Sequence, residues 1–124
     1  MLPKISSAGW EVMNVVWERH PMTSTEVFAE LPADREWAQK TVNTFLTRLV
    51  DKGVLKVSRE GKSNAYSPRL KRDECVRQES ESFLRRVFQG AAGPLMLHFC
   101  EHSELTDLDI AELERLLKTK KGKK

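Results

Sequence analysis

Apolar residues recur at helical spacing in residues 37–52, where Val42, Phe45, Leu46 and Leu49 form one stripe at i, i+3, i+4 and i+7. The opposite face carries Lys40, Asn43, Thr44, Thr47 and Asp51. Gly53 stands where such a helix would close in a left-handed cap. The period then shortens to two. Residues 54–58 (VLKVS) and 64–67 (NAYS) alternate as short strands, and the intervening REGKS supplies a glycine-containing hairpin tip. The pattern predicts a helix over 38–52 followed by a two-stranded hairpin within 54–67.

Upstream, a helix is expected over residues 7–19, with Ser6 or Ser7 as N-cap. Trp10, Met13, Val16 and Trp17 form its inward stripe, with Val12 and Val15 near the edge. His20-Pro21 ends it, because the residue before proline is pushed out of the helical region. Thr23-Ser24-Thr25-Glu26 reads as a capping box opening a second helix to about residue 31. Val27 and Leu31 are its core residues, with Phe28 alongside, and Pro32-Ala33-Asp34 makes the turn. The order helix, helix, turn, helix, hairpin, closed by Pro68, is that of a winged helix. In such a module one helix enters a major groove while the wing reaches flanking phosphates.

Beyond Pro68 the character changes. Residues 71–89 read as a long charged helix with Val76, Phe83, Leu84, Val87 and Phe88 on one side. The run QGAAGP at 89–94 breaks it. A short apolar helix follows over 95–102. Thr106 caps a last helix to about residue 118, with Ile110, Leu113, Leu116 and Leu117 to be buried. Three such helices close only a thin core, and their apolar stripes are wide. Two interlocked copies, each covering what the other exposes, solve this. The expected fold is mainly α: an N-terminal winged helix-turn-helix over 1–69 with a two-stranded wing, and a C-terminal helical dimerisation domain over 70–118. A disordered basic tail over 119–124 completes it. Phe83, Val87, Leu95, Leu97, Phe99, Leu113 and Leu116 are the candidate dimer contacts.

Charge sharpens this division. The chain is only mildly basic, with 21 Lys+Arg against 18 Asp+Glu in 124 residues. Within 38–69, however, Lys40, Arg48, Lys52, Lys56, Arg59, Lys62 and Arg69 face only Asp51 and Glu60, a net of +5. Residues 71–117 are net −4, and the final KTKKGKK adds five lysines. A basic block beside an acidic one assigns one face to a polyanion. A hydrophobic content of 40% and the lack of any membrane-length apolar run fit a soluble globular protein. The first residues show no export leader, so a cytoplasmic location is expected, with Cys75 and Cys100 as reduced thiols.

Lys40, Asn43, Thr44, Thr47 and Arg48 are the candidate DNA contacts on the helix. Threonine offers a methyl group to thymine and a hydroxyl to a base or phosphate, and Asn43 can pair with adenine in bidentate fashion. Arg59 and Lys62 at the hairpin tip read as phosphate contacts, against the plainer reading of solubilising charge on an edge hairpin. His98-Phe99-Cys100-Glu101-His102 matches the H-x-x-E-H pattern of inverted zinc hydrolases. No histidine follows His102 to serve as a third ligand, so neither catalysis nor a metal or other cofactor is expected. Trp10, Trp17 and Trp37 are read as core residues packing the first helix onto the recognition helix.

Specific residues give the chain a resemblance to a known family. They are Ile5-Ser6-Ser7-Ala8, Trp10 to Asn14, Trp17, Trp37, Lys40-Thr41-Val42, Thr44, Thr47-Arg48-Leu49, Lys52-Gly53 and Tyr66-Ser67-Pro68. Leu95 to Phe99, Leu105-Thr106 and Ile110 to Leu113 continue the match. Together they resemble the penicillinase repressors of the BlaI/MecI type, to which the copper-responsive CopY repressors are related. The resemblance implies a dimeric winged-helix repressor of a palindromic operator in double-stranded DNA. It adds Thr41 to the contacts, with Lys40, Thr41 and Arg48 gripping phosphates. CopY-type members carry a C-terminal cysteine cluster, which this lysine tail lacks, so copper sensing is not expected. Penicillinase repressors are released when a sensor-linked protease cuts an Asn-Phe bond in the dimerisation helix. The matching pair here is His98-Phe99, the candidate cleavage site should such a protease be a further partner. The competing readings are a winged-helix module that binds protein, and a repressor of the same fold released by a small ligand.

Overall fold

The computed structural model describes residues 2–122, the Glu60 side chain excepted. Helix α1 (Ser7–Glu18) begins at the N-cap Ser6, whose hydroxyl accepts the Gly9 N–H at 3.0 Å. Strand β1 (Met22–Thr23) leads into α2 (Ser24–Glu30) through the expected capping box. The Thr23 hydroxyl accepts from the Glu26 N–H at 3.2 Å, and the Glu26 carboxylate accepts from the Thr23 N–H at 2.9 Å. The Thr23 N–H, and after it the Thr23 side chain, hold the Glu26 carboxyl below its ordinary pKa. A short 3-10 turn (Ala33–Arg35) precedes α3 (Gln39–Asp51). Arg35 pairs with Glu11 and so ties this turn to α1.

The end of α3 shows why Gly53 is needed. Val54 N–H donates to Leu49 O at 2.9 Å and Gly53 N–H to Val50 O at 3.0 Å, with Gly53 at φ +81°. This is a Schellman closure, and Leu49 and Val54, the pair it brings together, are both buried. The chain then enters β2 (Leu55–Glu60) and returns as β3 (Ser63–Pro68). Glu60 pairs with Ser63, so the turn is only Gly61-Lys62, with positive φ at the glycine. Arg59 and Ser63, expected in the tip, therefore lie in strands. β1 adds to the hairpin by pairing Met22 with Tyr66 and Thr23 with Ala65, giving a three-stranded antiparallel sheet in the order β1-β3-β2.

The chain divides into two units, Met1–Glu79 and Ser80–Lys124. The first has a closed core of Ile5, Val12, Met13, Val16, Met22, Val27, Val42, Leu46, Leu49, Val54, Leu55 and Cys75. In α1 the buried arc is Gly9, Val12, Met13 and Val16, one residue round from the stripe expected. Trp10 and Trp17 are only partly buried and pack on each other at 5.6 Å on its flank. Trp37 packs edge-on against Phe45 at 5.0 Å. The tryptophans thus rim the core and do not form its centre, which is filled by the smaller side chains of Val12, Met13 and Val16. Trp17 Nε1 donates to Leu70 O at 3.0 Å.

Helix α4 (Arg72–Phe88) crosses the boundary between the units. That boundary falls ten residues beyond the one expected at 69/70, because the first turns of α4 dock on the N-terminal unit. Cys75 is buried there, and the Gln78 carboxamide holds both the N–H and the C=O of Leu2, at 3.1 and 2.8 Å.

In the second unit α4 ends at Gln89 and Gly90, both at positive φ. Helix α5 (Ala92–His102) starts three residues earlier than expected, with Gly93 and Pro94 inside its first turn. Proline is tolerated there because its missing N–H would have had no partner within the helix. Thr106 and Asp109 form a reciprocal cap that opens α6 (Asp107–Gly122). The tail expected to be disordered from 119 is helical through Gly122. No breaker intervenes, and Lys120 and Lys121 in the last turn suit the negative end of the helix dipole. Residues 123 and 124 of that tail lie outside the described residues. The leucine and isoleucine positions expected to be buried are open in the single chain: Ile110, Leu116 and Leu117 are 42–50% exposed and Leu113 is half-buried.

Candidate nucleic-acid interface

Burial of Val42, Leu46 and Leu49 fixes the roll of α3 and so decides which residues face outward. Lys40, Asn43, Thr44, Thr47 and Arg48 are all exposed on one arc, while Thr41 is half-buried at its edge. Lys40 and Arg48 pair with no carboxylate among the described residues, so their charge is available to an external anion. On the hairpin, Arg59 and Lys62 are exposed, and Arg59 Nε donates to Gly61 O at 3.3 Å, which curls this side chain over the turn.

The two threonines are less free than their sequence suggests. Thr44 Oγ1 donates to Lys40 O at 3.1 Å and Thr47 Oγ1 donates to Asn43 O at 3.0 Å. Each hydroxyl hydrogen is committed to the helix backbone. What remains is an acceptor oxygen and a methyl group. Such a side chain suits a base amino group or a thymine methyl, and it cannot donate to a phosphate while the internal bond holds.

Folding also brings together residues that the sequence keeps apart. Asn43 and Thr47 line a polar notch of 340 Å³ with Thr23, Ser24 and Thr25 at the start of α2 and Ser63, Asn64 and Tyr66 on β3. Only Asn43 and Thr47 of this group were legible as site residues. Ser63 was hidden in the expected hairpin tip, Asn64 in a short strand, and Ser24 and Thr25 in a capping signal. Gln39 was missed as well. Its Nε2 donates to Ser24 O at 3.2 Å and to Asn43 Oδ1 at 3.0 Å. The i, i+4 spacing of a glutamine and an asparagine was the available signal for the second bond.

The His98-to-His102 segment lies in the second unit, on α5. The two imidazoles are 4.7 Å apart at i and i+4, and no group of three or more His, Cys, Asp or Glu side chains suited to a metal occurs among the described residues. No helix among the described residues is long and apolar enough to cross a membrane.

Comparison with known proteins agrees with this arrangement. The penicillinase repressor family model matches residues 5–119. A penicillinase repressor of Bacillus licheniformis is 35% identical over 123 residues, which are 99% of this chain and 96% of that repressor. The methicillin resistance regulatory protein MecI of Mammaliicoccus sciuri is 32% identical over 117 residues, 94% of this chain and 95% of that protein. Among solved structures, the monomeric form of Bacillus licheniformis BlaI in complex with the blaP half-operator superposes with a TM-score of 0.52 at 36% identity. The superposition covers 60% of this chain and 90% of that one. The DNA-binding domain of the repressor BlaI gives 0.53 over the same shares. A helix-turn-helix with a β wing, followed by three further helices and matched almost end to end, places this chain in the penicillinase repressor family.

Proposed function

We propose that this protein is a dimeric transcriptional repressor that binds an inverted-repeat operator, with α3 in the major groove of each half-site and the β2–β3 hairpin against flanking phosphates. The observation that carries the reading is the exposed arc of α3, with Lys40 and Arg48 unneutralised, on a helix whose roll is fixed by a closed core. Asn43, Thr44 and Thr47 read base edges. Lys40, Arg48, Arg59 and Lys62 hold phosphates and set register, with Thr41 at the margin of that set. Membership of a family of repressors, one of which is known in complex with its half-operator, supports the assignment.

The second unit supplies the dimer. Its exposed apolar residues, Val87, Leu97, Phe99 and Leu116 among them, are covered by a second copy together with the half-buried Phe83, Leu95 and Leu113.

 Two linked half-site contacts raise operator affinity well above that of one. The His98–Phe99 peptide lies inside α5, so cleavage there by a sensor-linked protease requires that helix to open locally. Such a cut would remove the dimer and with it the doubled contact.

Footprinting on the DNA upstream of the protein's own coding sequence tests the assignment. A protected inverted repeat is expected, its half-sites one or more helical turns apart. Thr44→Ala should relax preference at one half-site position by about 1–3 kcal/mol. Lys62→Ala should weaken all sequences about equally and flatten the salt dependence by about one unit. Failure to bind duplex DNA selectively, or a Thr44→Ala protein with an unaltered base-preference profile, would sink the reading. Mass spectrometry of the protein from induced cells tests induction: an intact chain under full derepression refutes cleavage at His98–Phe99.

A further inference from the structure

Gln39 stands one turn before Asn43 on α3 and touches two elements at once. Its Nε2 donates to the Ser24 carbonyl of α2 at 3.2 Å and to the Asn43 carboxamide oxygen at 3.0 Å. A backbone carbonyl only accepts, so the contact with Ser24 fixes which end of the Gln39 carboxamide faces α2. That end is the nitrogen, and it carries two hydrogens. One is spent on Ser24 and the other on Asn43. The atom of Asn43 facing Gln39 must therefore be its oxygen. The polarity of the Asn43 side chain is set by a carbonyl fifteen residues earlier in the chain.

We propose that Gln39 is a positioning residue that holds Asn43 with its amide nitrogen as the free end, so that Asn43 meets the operator as a hydrogen-bond donor and selects guanine. The inference rests on α3 reading the major groove. Asn43 Nδ2 has no protein partner among the described residues, so both of its hydrogens are available. In the major groove guanine presents two adjacent acceptors, N7 and O6. Adenine presents one acceptor beside a donor, thymine one acceptor, and cytosine a donor only. A side chain that offers two donors ranks guanine first and cytosine last. The bidentate pairing with adenine expected from the sequence needs Oδ1 turned to the base beside Nδ2; with Oδ1 already accepting from Gln39, one lone pair remains for it, while both Nδ2 hydrogens are free.

The test is the base-preference profile, measured by selection from a randomised half-site library. Four proteins are compared: the unaltered chain, Asn43→Ala, Gln39→Ala and Gln39→Glu. Asn43→Ala identifies the position that Asn43 reads, and the unaltered protein should prefer guanine there. Gln39→Ala frees the amide to turn over and should cut that preference by about tenfold while leaving other positions alone. Gln39→Glu has only acceptors to offer. It should take the Asn43 nitrogen for itself, turn Oδ1 outward and swing the preference towards a base with an amino group, cytosine or adenine. A residue of merely structural importance would weaken every sequence without moving one position. Preference for adenine in the unaltered protein, or an unmoved profile in both Gln39 variants, overturns the inference and leaves DNA binding by α3 intact. If the unaltered protein shows no base preference at all, the inference and the proposed function fall together. Should Gln39→Glu fold poorly, hydrogen exchange of side-chain amides in the unaltered protein decides. The Gln39 ε-amide should exchange more slowly than the Asn43 δ-amide, and equal fast exchange of both would refute the pairing.

Discussion

The two units of the chain use similar apolar residues to different ends. Among the described residues, all thirteen buried hydrophobic side chains lie in residues 5–75, and none lies in the second unit. Of the ten large hydrophobics that are exposed among the described residues, eight belong to that second unit, from Val87 to Leu117. Composition does not cause the contrast, since residues 95–100 (LMLHFC) form one of the most apolar stretches of the chain. Arrangement does. The first unit has three helices and a sheet that close around one centre, so each apolar stripe finds a cover. The second has two helices and the end of a third, and each helix keeps a stripe without one. A hydrophobic face becomes a core only when another surface removes it from water.

The largest expected effect comes from separating the units. A fragment of residues 1–79 should unfold cooperatively at a midpoint that does not depend on its concentration. A fragment of residues 80–124 should gain helix as its concentration rises, because association supplies its missing cover. Concentration-independent helicity in the second fragment, measured by circular dichroism, would break the contrast.

Leu113→Glu places a carboxylate in the proposed dimer surface and should weaken association by about 3–5 kcal/mol. Sedimentation of the full chain checks this, and a monomer already present at tens of micromolar before the change would refute the dimer. In the first unit, Leu46→Ala removes a fully buried side chain and should cost about 2–5 kcal/mol of stability by denaturant unfolding of the 1–79 fragment. The same substitution should leave the association of residues 80–124 untouched.

Thr23→Ala removes the N-cap of α2 and should cost about 1 kcal/mol. It should also change the pH dependence. The Glu26 carboxyl is held below its ordinary pKa by bonds from the Thr23 backbone and hydroxyl. A carboxyl whose pKa is lower in the folded state adds stability above its unfolded pKa and loses it as pH falls through the folded value. Acid unfolding of the variant should therefore lack part of this slope, and an unchanged slope would contradict the capping box. The smallest perturbation is a thiol reagent. Burial, and then the nearby Glu74 charge, push the Cys75 thiol up, whereas Cys100 is exposed. In the Leu113→Glu protein Cys100 should react quickly and Cys75 only as fast as the first unit opens.

Much of this architecture was legible because its causes are local. Ser6, Thr23 and Thr106 begin helices by binding backbone N–H groups three residues on, and Gly53 ends one by adopting a positive φ. These effects act within a turn of chain, so the sequence alone declares them. The stripe of α3 and the outward arc of Lys40, Asn43, Thr44, Thr47 and Arg48 follow from helical period for the same reason. The start of α5 was misplaced because Gly93-Pro94 reads as a break wherever it stands, although proline fits a first helical turn.

Tertiary structure decided what depends on partners distant in sequence. Which arc of α1 is buried was set by its packing in a core shared with α2, α3 and the sheet, and that arc leaves Trp10 and Trp17 at the rim. The third strand exists because Met22 and Thr23 find Tyr66 and Ala65. The domain limit moved to Glu79 because Gln78 reaches Leu2, seventy-six residues away. The orientation of Asn43 was set by Gln39 and the Ser24 carbonyl. None of these contacts leaves a periodic trace in the chain. A hydrogen bond or a packed pair depends on where two surfaces meet, and only the folded chain fixes that.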